Sequence, residues 1–215
     1  MAEPVKKHRS YESGRRQAAS AATRQRIVEA GRELIQLHGY RATTLAAVAA
    51  RAQVNIDTIY QLVGRKPVLL RELIEQALSG QDHAVTAEDR PHVIAMRAEA
   101  DPAVKLAIYA RAIRETHPRL APLFVALRDA SSTDVEAREV WREISERRAT
   151  NMRALVAEIR DTGALRPELT IDAAADTVWV MNSPELFIML TVERGWSADR
   201  YEDWLSESLQ RLLLS

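Results

Sequence analysis

The chain contains no cysteine, which excludes disulfides, thiolate metal sites and a cysteine nucleophile. No apolar run reaches 18 residues, so the sequence predicts no membrane-spanning helix. The first residues carry charge but lack the apolar stretch of a secretory signal. Together these absences predict a soluble cytoplasmic protein. Glycine and proline are scarce, 7 and 8 of 215 residues, while Ala, Leu, Arg and Glu abound, a composition that favours helices. Aromatics are only 5% of the chain, which argues against a broad, flat aromatic cage. No segment alternates with the period of two that a half-buried strand needs, and there is no internal repeat or low-complexity linker. The expected fold class is all-α, and the length suits one large or two small domains.

Net charge is also absent, but the balance of 30 basic and 30 acidic side chains hides a division. Residues 1–66 hold 12 Lys/Arg against 5 Asp/Glu, a net +7, and residues 67–215 hold 18 against 25, a net −7. A cationic end concentrates near phosphate backbones and releases their counterions.

Within that end, Thr44 to Val63 predicts two short helices joined by a tight turn. Leu45, Val48, Ala49 and Ala52 fall on one helical face, and Ile59, Leu62 and Val63 point inward from the second helix. Asn55, Ile56, Asp57, Thr58 and Gln61 are then left for an outer face, the geometry of a helix-turn-helix DNA reader. Residues 1–19 are polar, basic and aperiodic and predict a mobile arm; a domain of residues 20–66 follows, with the helix-turn-helix at 44–63, and then a helical domain of residues 67–215. A helix is expected over about 20–38, ended by Gly39, and Thr44 and Asn55 are expected N-caps. Lys66-Pro67 opens a fourth helix. Further helices are expected at about 88–99, 102–116, 119–130 (after a break at His117-Pro118), from a Ser132 or Thr133 cap to Thr162, 170–182, 184–194, and from Ser197 to the end.

Residues 23–70 resemble the N-terminal domain of the TetR family of transcriptional regulators. The matching pieces are TRQRIVEAGRELIQLHGYRATTLAAVAARAQV, then TIY, then Lys66 and VLL. The resemblance implies phosphate contacts from Thr44, Tyr60 and Lys66 and a recognition helix over Asn55 to Gln61. It also implies a homodimeric repressor that binds a palindromic operator in double-stranded DNA and is released by a small-molecule effector held in the helical body, with no cofactor. Gln53 departs from the pattern, standing where a turn glycine is usual. Asp57 either accepts from cytosine N4 or complements the helix dipole. Ile56 either touches a thymine methyl or is partly buried.

Candidate effector-pocket residues are Met96, Tyr109, Arg114, Phe124, Trp141, Met152, Trp179 and Met181, each alternatively plain core. Wide apolar faces on the last two helices, with Leu186, Phe187, Leu190, Tyr201, Trp204, Leu205, Leu209 and Leu212, suggest a dimer interface, or alternatively cover for the chain's own core. No two of the five histidines are spaced i, i+4, and no His-Glu-x-x-His, glycine-rich phosphate loop or Gly-x-Ser-x-Gly elbow occurs. Neither catalytic residues nor a metal site are therefore expected. The remaining alternative is an architectural DNA binder without a ligand, whose body would be solidly packed rather than hollow.

Overall fold

The computed structural model describes residues 5–80 and 85–215, with side chains from Gly14 onward. Among these residues it is all-α: ten helices, a short 3-10 turn, a π turn and no strand beyond one isolated bridge between Leu165 and Leu214. None of the described helices is long and apolar enough to cross a membrane. The chain divides into two compact units, up to Leu73 and from Ile74, the division falling inside helix α4 (Lys66–Ser79).

The first unit contains α1 (Val5–Ala42), α2 (Leu45–Ala52) and α3 (Ile56–Leu62). Its core is built from Ile27, Val28, Ile35, Val48, Ile59, Leu69 and Leu70. α1 starts at Val5 rather than near Ser20. Residues 5–19 hold no proline or asparagine, and a segment extending a packed helix needs no nucleus of its own. The expectation for residues 1–4, and for the side chains of Lys6, Lys7 and Arg9, lies outside the described residues. At Gly39 the backbone turns to φ 76°, ψ 164°, which breaks the helical path as expected. Gly31 sits where a Cβ would lie 2.9 Å from a Leu69 methyl, so a larger side chain there would have to displace the Leu69 side chain.

The turn chemistry is local and legible. The Thr44 hydroxyl accepts from Ala47 N–H at 3.1 Å, and the Asn55 amide oxygen from Asp57 N–H at 2.9 Å. Between them Gln53 adopts φ 55°, ψ 49°, the only described non-glycine residue with positive φ. Val54 N–H closes the helix end on the Ala49 carbonyl at 3.0 Å. Arg24 Nε donates to the Leu62 carbonyl at 3.0 Å and so satisfies the end of α3.

The second unit comprises a 3-10 turn (Ala87–Asp89), α5 (Pro91–Ala98), α6 (Pro102–Ser131), α7 (Val135–Asp161), α8 (Ile171–Met181), α9 (Pro184–Ile188), a π turn (Met189–Glu193) and α10 (Ala198–Leu213). α6 is its axis, packed on α5, α7, α9 and α10. The expected break at His117-Pro118 does not occur; α6 runs on through Pro118 and Pro122. Leu120, Ala121, Leu123, Phe124 and Leu127 are buried just beyond it, and that burial outweighs the lost hydrogen bonds. The cap of α7 is Asp134, not Ser132 or Thr133; its carboxylate accepts from Ala137 N–H at 3.1 Å. Thr170 and Ser197 cap α8 and α10 as expected, and Ser183 caps α9 at the point where Ser183-Pro184 was expected to restart or kink the helix.

His117 is 3% exposed in α6, its Nε2 2.9 Å from the Asn182 carbonyl and its ring edge-on to Phe187 at 5.4 Å. Burial holds its pKa down at about 4, against an ordinary 6.5. The neutral imidazole therefore donates from Nε2.

Two measurements follow from this architecture. Replacing Gln53 with Gly removes a left-handed penalty of about 1–2 kcal/mol and costs extra chain entropy, leaving a gain of about 0.5–1 kcal/mol. It is read as a higher urea midpoint at unchanged slope. For His117, the unfolded chain takes up the proton first. Its contribution to stability is complete above pH 6.5 and is lost as pH falls towards 4, by up to about 3 kcal/mol. His117→Gln should flatten the decline over that window relative to wild type; parallel profiles would acquit His117.

Candidate nucleic-acid interface and ligand cavity

α3 is anchored by Ile59, which is fully buried, while Asn55, Ile56, Asp57, Tyr60 and Gln61 are exposed and Thr58 is half-buried. The short helix thus presents polar side chains outward from a fixed base. Thr44 and Asn55 spend their oxygens on the caps, which leaves the Thr44 O–H and the Asn55 amide N–H groups as donors for an anion or a base edge. Asp57 occupies the first turn of α3, where a carboxylate complements the helix dipole. Ile56 is 36% exposed, between the two alternatives drawn from the sequence.

Lys66 is half-buried, its Nζ 3.5 Å from the Arg41 carbonyl and 4.0 Å from the centroid of the Tyr40 ring. A hydrogen bond to the carbonyl and a cation–π interaction thus hold the ammonium. Tyr40 was not singled out from sequence; an aromatic at the C-terminal side of Gly39 was its only signal. Arg15, Arg16 and Arg41 are exposed. Arg24 pairs with Glu72 at 2.6 Å and Arg51 with Glu33 at 2.6 Å, so part of the basic excess is structural.

The second unit encloses a cavity of about 260 Å³, bounded by the end of α4, the 3-10 turn, α5, α6 and α7, with Asn182 on its wall. Of the residues expected to line it, Met96, Tyr109, Phe124 and Met152 do. The other four do not. Arg114 reaches Asp199 at 2.5 Å and Glu202 at 3.4 Å. Trp141 packs edge-on against Phe124 at 4.7 Å, Trp179 lies 4.6 Å from the Arg148 guanidinium, and the Met181 carbonyl accepts from Tyr201 O–H at 3.3 Å.

The wall also carries a polar cluster that the sequence did not reveal. Asn182 donates from its amide nitrogen to Tyr109 Oη, and its amide oxygen accepts from Arg148. Its backbone carbonyl takes the His117 N–H, and Tyr109 O–H donates to Met152 Sδ at 3.0 Å. Arg148 also donates to the Trp179 carbonyl. Burial pushes the Tyr109 phenol well above its usual range, against the opposing pull of Arg148, so it remains a donor. Burial, with Arg90 nearby, lowers His92. In sequence Asn182 marked a helix end and His117 a helix break, and nothing singled out Arg148.

The expected dimer surface divides in two. Phe187, Tyr201, Leu205 and Leu209 are buried in the chain's own core, Phe187 edge-on to Tyr201 at 5.0 Å, and are not available to a partner. Leu186, Leu190 and Trp204 are half-buried and Leu212 is exposed. Met189, Val192 and Val180 add further exposed apolar surface on neighbouring segments.

Residues 27–73 match the family described as bacterial regulatory proteins, tetR family. No curated protein matches the chain. Solved structures share its fold. A transcriptional regulator from Saccharomonospora viridis, in complex with choline, superposes with a TM-score of 0.70 at 19% identity, covering 91% of this chain and 99% of that one. A TetR-family regulator from Syntrophomonas wolfei gives 0.69 at 13% identity, covering 89% and 95%. The regulator FadR from Bacillus subtilis, in complex with stearoyl-CoA, gives 0.66 at 18% identity, covering 86% and 96%. Residues 27–73 thus carry an N-terminal domain of the tetR family of bacterial regulatory proteins, and the helical fold is shared with solved structures along most of the chain.

Proposed function

We propose that this regulator is a cytoplasmic homodimeric repressor that occupies a palindromic operator and leaves it when a small molecule enters the cavity. The observation that carries the DNA reading is the exposure of Asn55, Ile56, Asp57, Tyr60 and Gln61 on a helix pinned by buried Ile59. Thr44, Tyr60 and Lys66 take phosphates and hold register; Asn55, Ile56, Asp57, Thr58 and Gln61 face base edges. Residues 20–66 form the DNA head and residues 67–215 the effector and dimerisation body. One head covers one half-site, so two copies are needed to span grooves about 34–36 Å apart. Leu186, Leu190, Trp204 and Leu212, with Met189 and Val192, are the surface left for pairing.

The cavity of about 260 Å³ favours a ligand-responsive protein over an architectural one, whose body has no reason to stay hollow. Structures of similar fold hold choline in one case and stearoyl-CoA in another. A cation and a large anion on one fold show that the fold does not choose the ligand.

The decisive experiment is a footprint of purified protein on the region upstream of its own gene, against random duplex, at low ionic strength. A protected palindrome supports the reading; equal affinity for both duplexes overturns it. On the protected site, Lys66→Ala should weaken binding to all sequences and reduce the slope of log K against log salt by about one. An unchanged slope would remove Lys66 from the phosphate contacts.

A further inference from the structure

The cavity wall carries more positive charge than its surroundings neutralise. Four arginines line it, Arg90, Arg97, Arg147 and Arg148, against two carboxylates, Glu88 and Glu158. Glu158 is already held by Lys105 at 2.9 Å and by Arg97 at 3.6 Å. Arg147 pairs with Glu75, whose field Arg90 shares while Arg147 opposes it. The Arg90 Nε is buried with no hydrogen-bond partner.

Arg148 is the clearest case. Its guanidinium donates to two neutral oxygens, the Trp179 carbonyl and the Asn182 amide, and lies 4.6 Å from the Trp179 ring and 5.7 Å from Phe124. Among the described residues no carboxylate forms an ion pair with it. The carboxylate whose charge acts on it, Glu185, is bound to Arg128 at 2.7 Å. Neutral acceptors satisfy N–H groups but leave the charge uncompensated, and burial disfavours the cation. This excess sits inside a chain segment whose net charge is −7, so it is a local feature of the cavity.

The remaining wall is apolar, with Met96, Ile113, Leu120, Phe124, Ile144 and Leu155. At about 260 Å³ the volume falls just below the usual range of ligand sites, about 300 to 1,000 Å³, which restricts the occupant to a small molecule. We propose that the cavity takes a small organic anion, an apolar body bearing one carboxylate, and that Arg148 pairs with that carboxylate. The proposal rests on the cavity being the effector site. A planar guanidinium stacked on an aromatic ring matches a carboxylate in two parallel hydrogen bonds, an arrangement a neutral or cationic ligand cannot use.

The alternative role for Arg148 is to tie α7 to α8 through Trp179 and Asn182, and the test separates the two. The full chain is titrated calorimetrically with three compounds of one shape: phenylbutyrate, phenylbutyramide and phenylbutylamine. The acid should bind at least about tenfold more tightly than the amide, with the amine weakest. Arg148→Gln should lower affinity for the acid by about tenfold or more and leave the amide within about twofold; Arg148→Lys should keep the preference for the acid. If Arg148→Gln does not fold, the ratio of acid to amide on wild-type protein decides. Equal binding of acid and amide, or tighter binding of the amine, overturns the anion assignment and leaves the effector cavity standing. No binding of any of the three at millimolar concentration overturns both.

Discussion

Asn182 is buried, and every polar group it owns must be paired for the second unit to hold its shape. Its backbone carbonyl takes His117, its side-chain oxygen Arg148, and its nitrogen reaches Tyr109. These partners come from α6 and α7, while Asn182 itself ends α8. Losing one of them strands a buried donor or acceptor at a cost of about 1–3 kcal/mol. The cluster therefore holds three helices in register at one edge of the cavity. Collapse onto the empty volume would have to break those bonds, which is how a hollow persists in an interior that otherwise packs densely.

The first unit applies the same constraint at its helix ends. α3 is only 7 residues long, too short to persist in water by itself. It survives because Asn55 satisfies its first turn, Arg24 caps its last carbonyl and Ile59 is buried beneath it. Its outward side chains are thus held by rigid surroundings, which the proposed base-reading role requires. The left-handed Gln53 is a departure from the cheapest turn chemistry, and the strain it stores lies between the two helices of the motif.

What was legible in the sequence was local. Thr44, Asn55, Thr170 and Ser197 announce themselves as caps because the cap bond spans only two or three residues. The all-α class followed from the scarcity of Gly and Pro and from helical periodicity. What failed depended on distant partners. A proline normally stops a helix, but α6 is the axis on which four others pack, and that packing is invisible along the chain. Half of the apolar residues on the final helices serve the chain's own core, because periodicity marks a face as apolar without naming what covers it. Four of the eight side chains named for the pocket line the cavity, all of them large, while Arg148, His117 and Asn182 went unseen. A buried polar residue looks like an exposed one until its partners are placed.

The division of charge sets how the two activities can coexist in one neutral chain. A net −7 beyond residue 66 is repelled by DNA phosphates, so in the proposed complex the cationic end is the part that approaches the duplex closely. The same negative charge also repels an anionic ligand. Distance decides between the two effects. At physiological ionic strength, charges on the surface are screened over about 8 Å, whereas a guanidinium inside a cavity is screened far less. A carboxylate entering the cavity therefore meets Arg148 at close range in a poorly hydrated wall, and the outer charges reach it only weakly. The ligand can release DNA only by as much as it prefers one state of the protein over the other. An unpaired buried cation supplies such a preference directly, because any rearrangement that draws Arg148 tighter onto the ligand is stabilised by the ligand's presence and penalised in its absence.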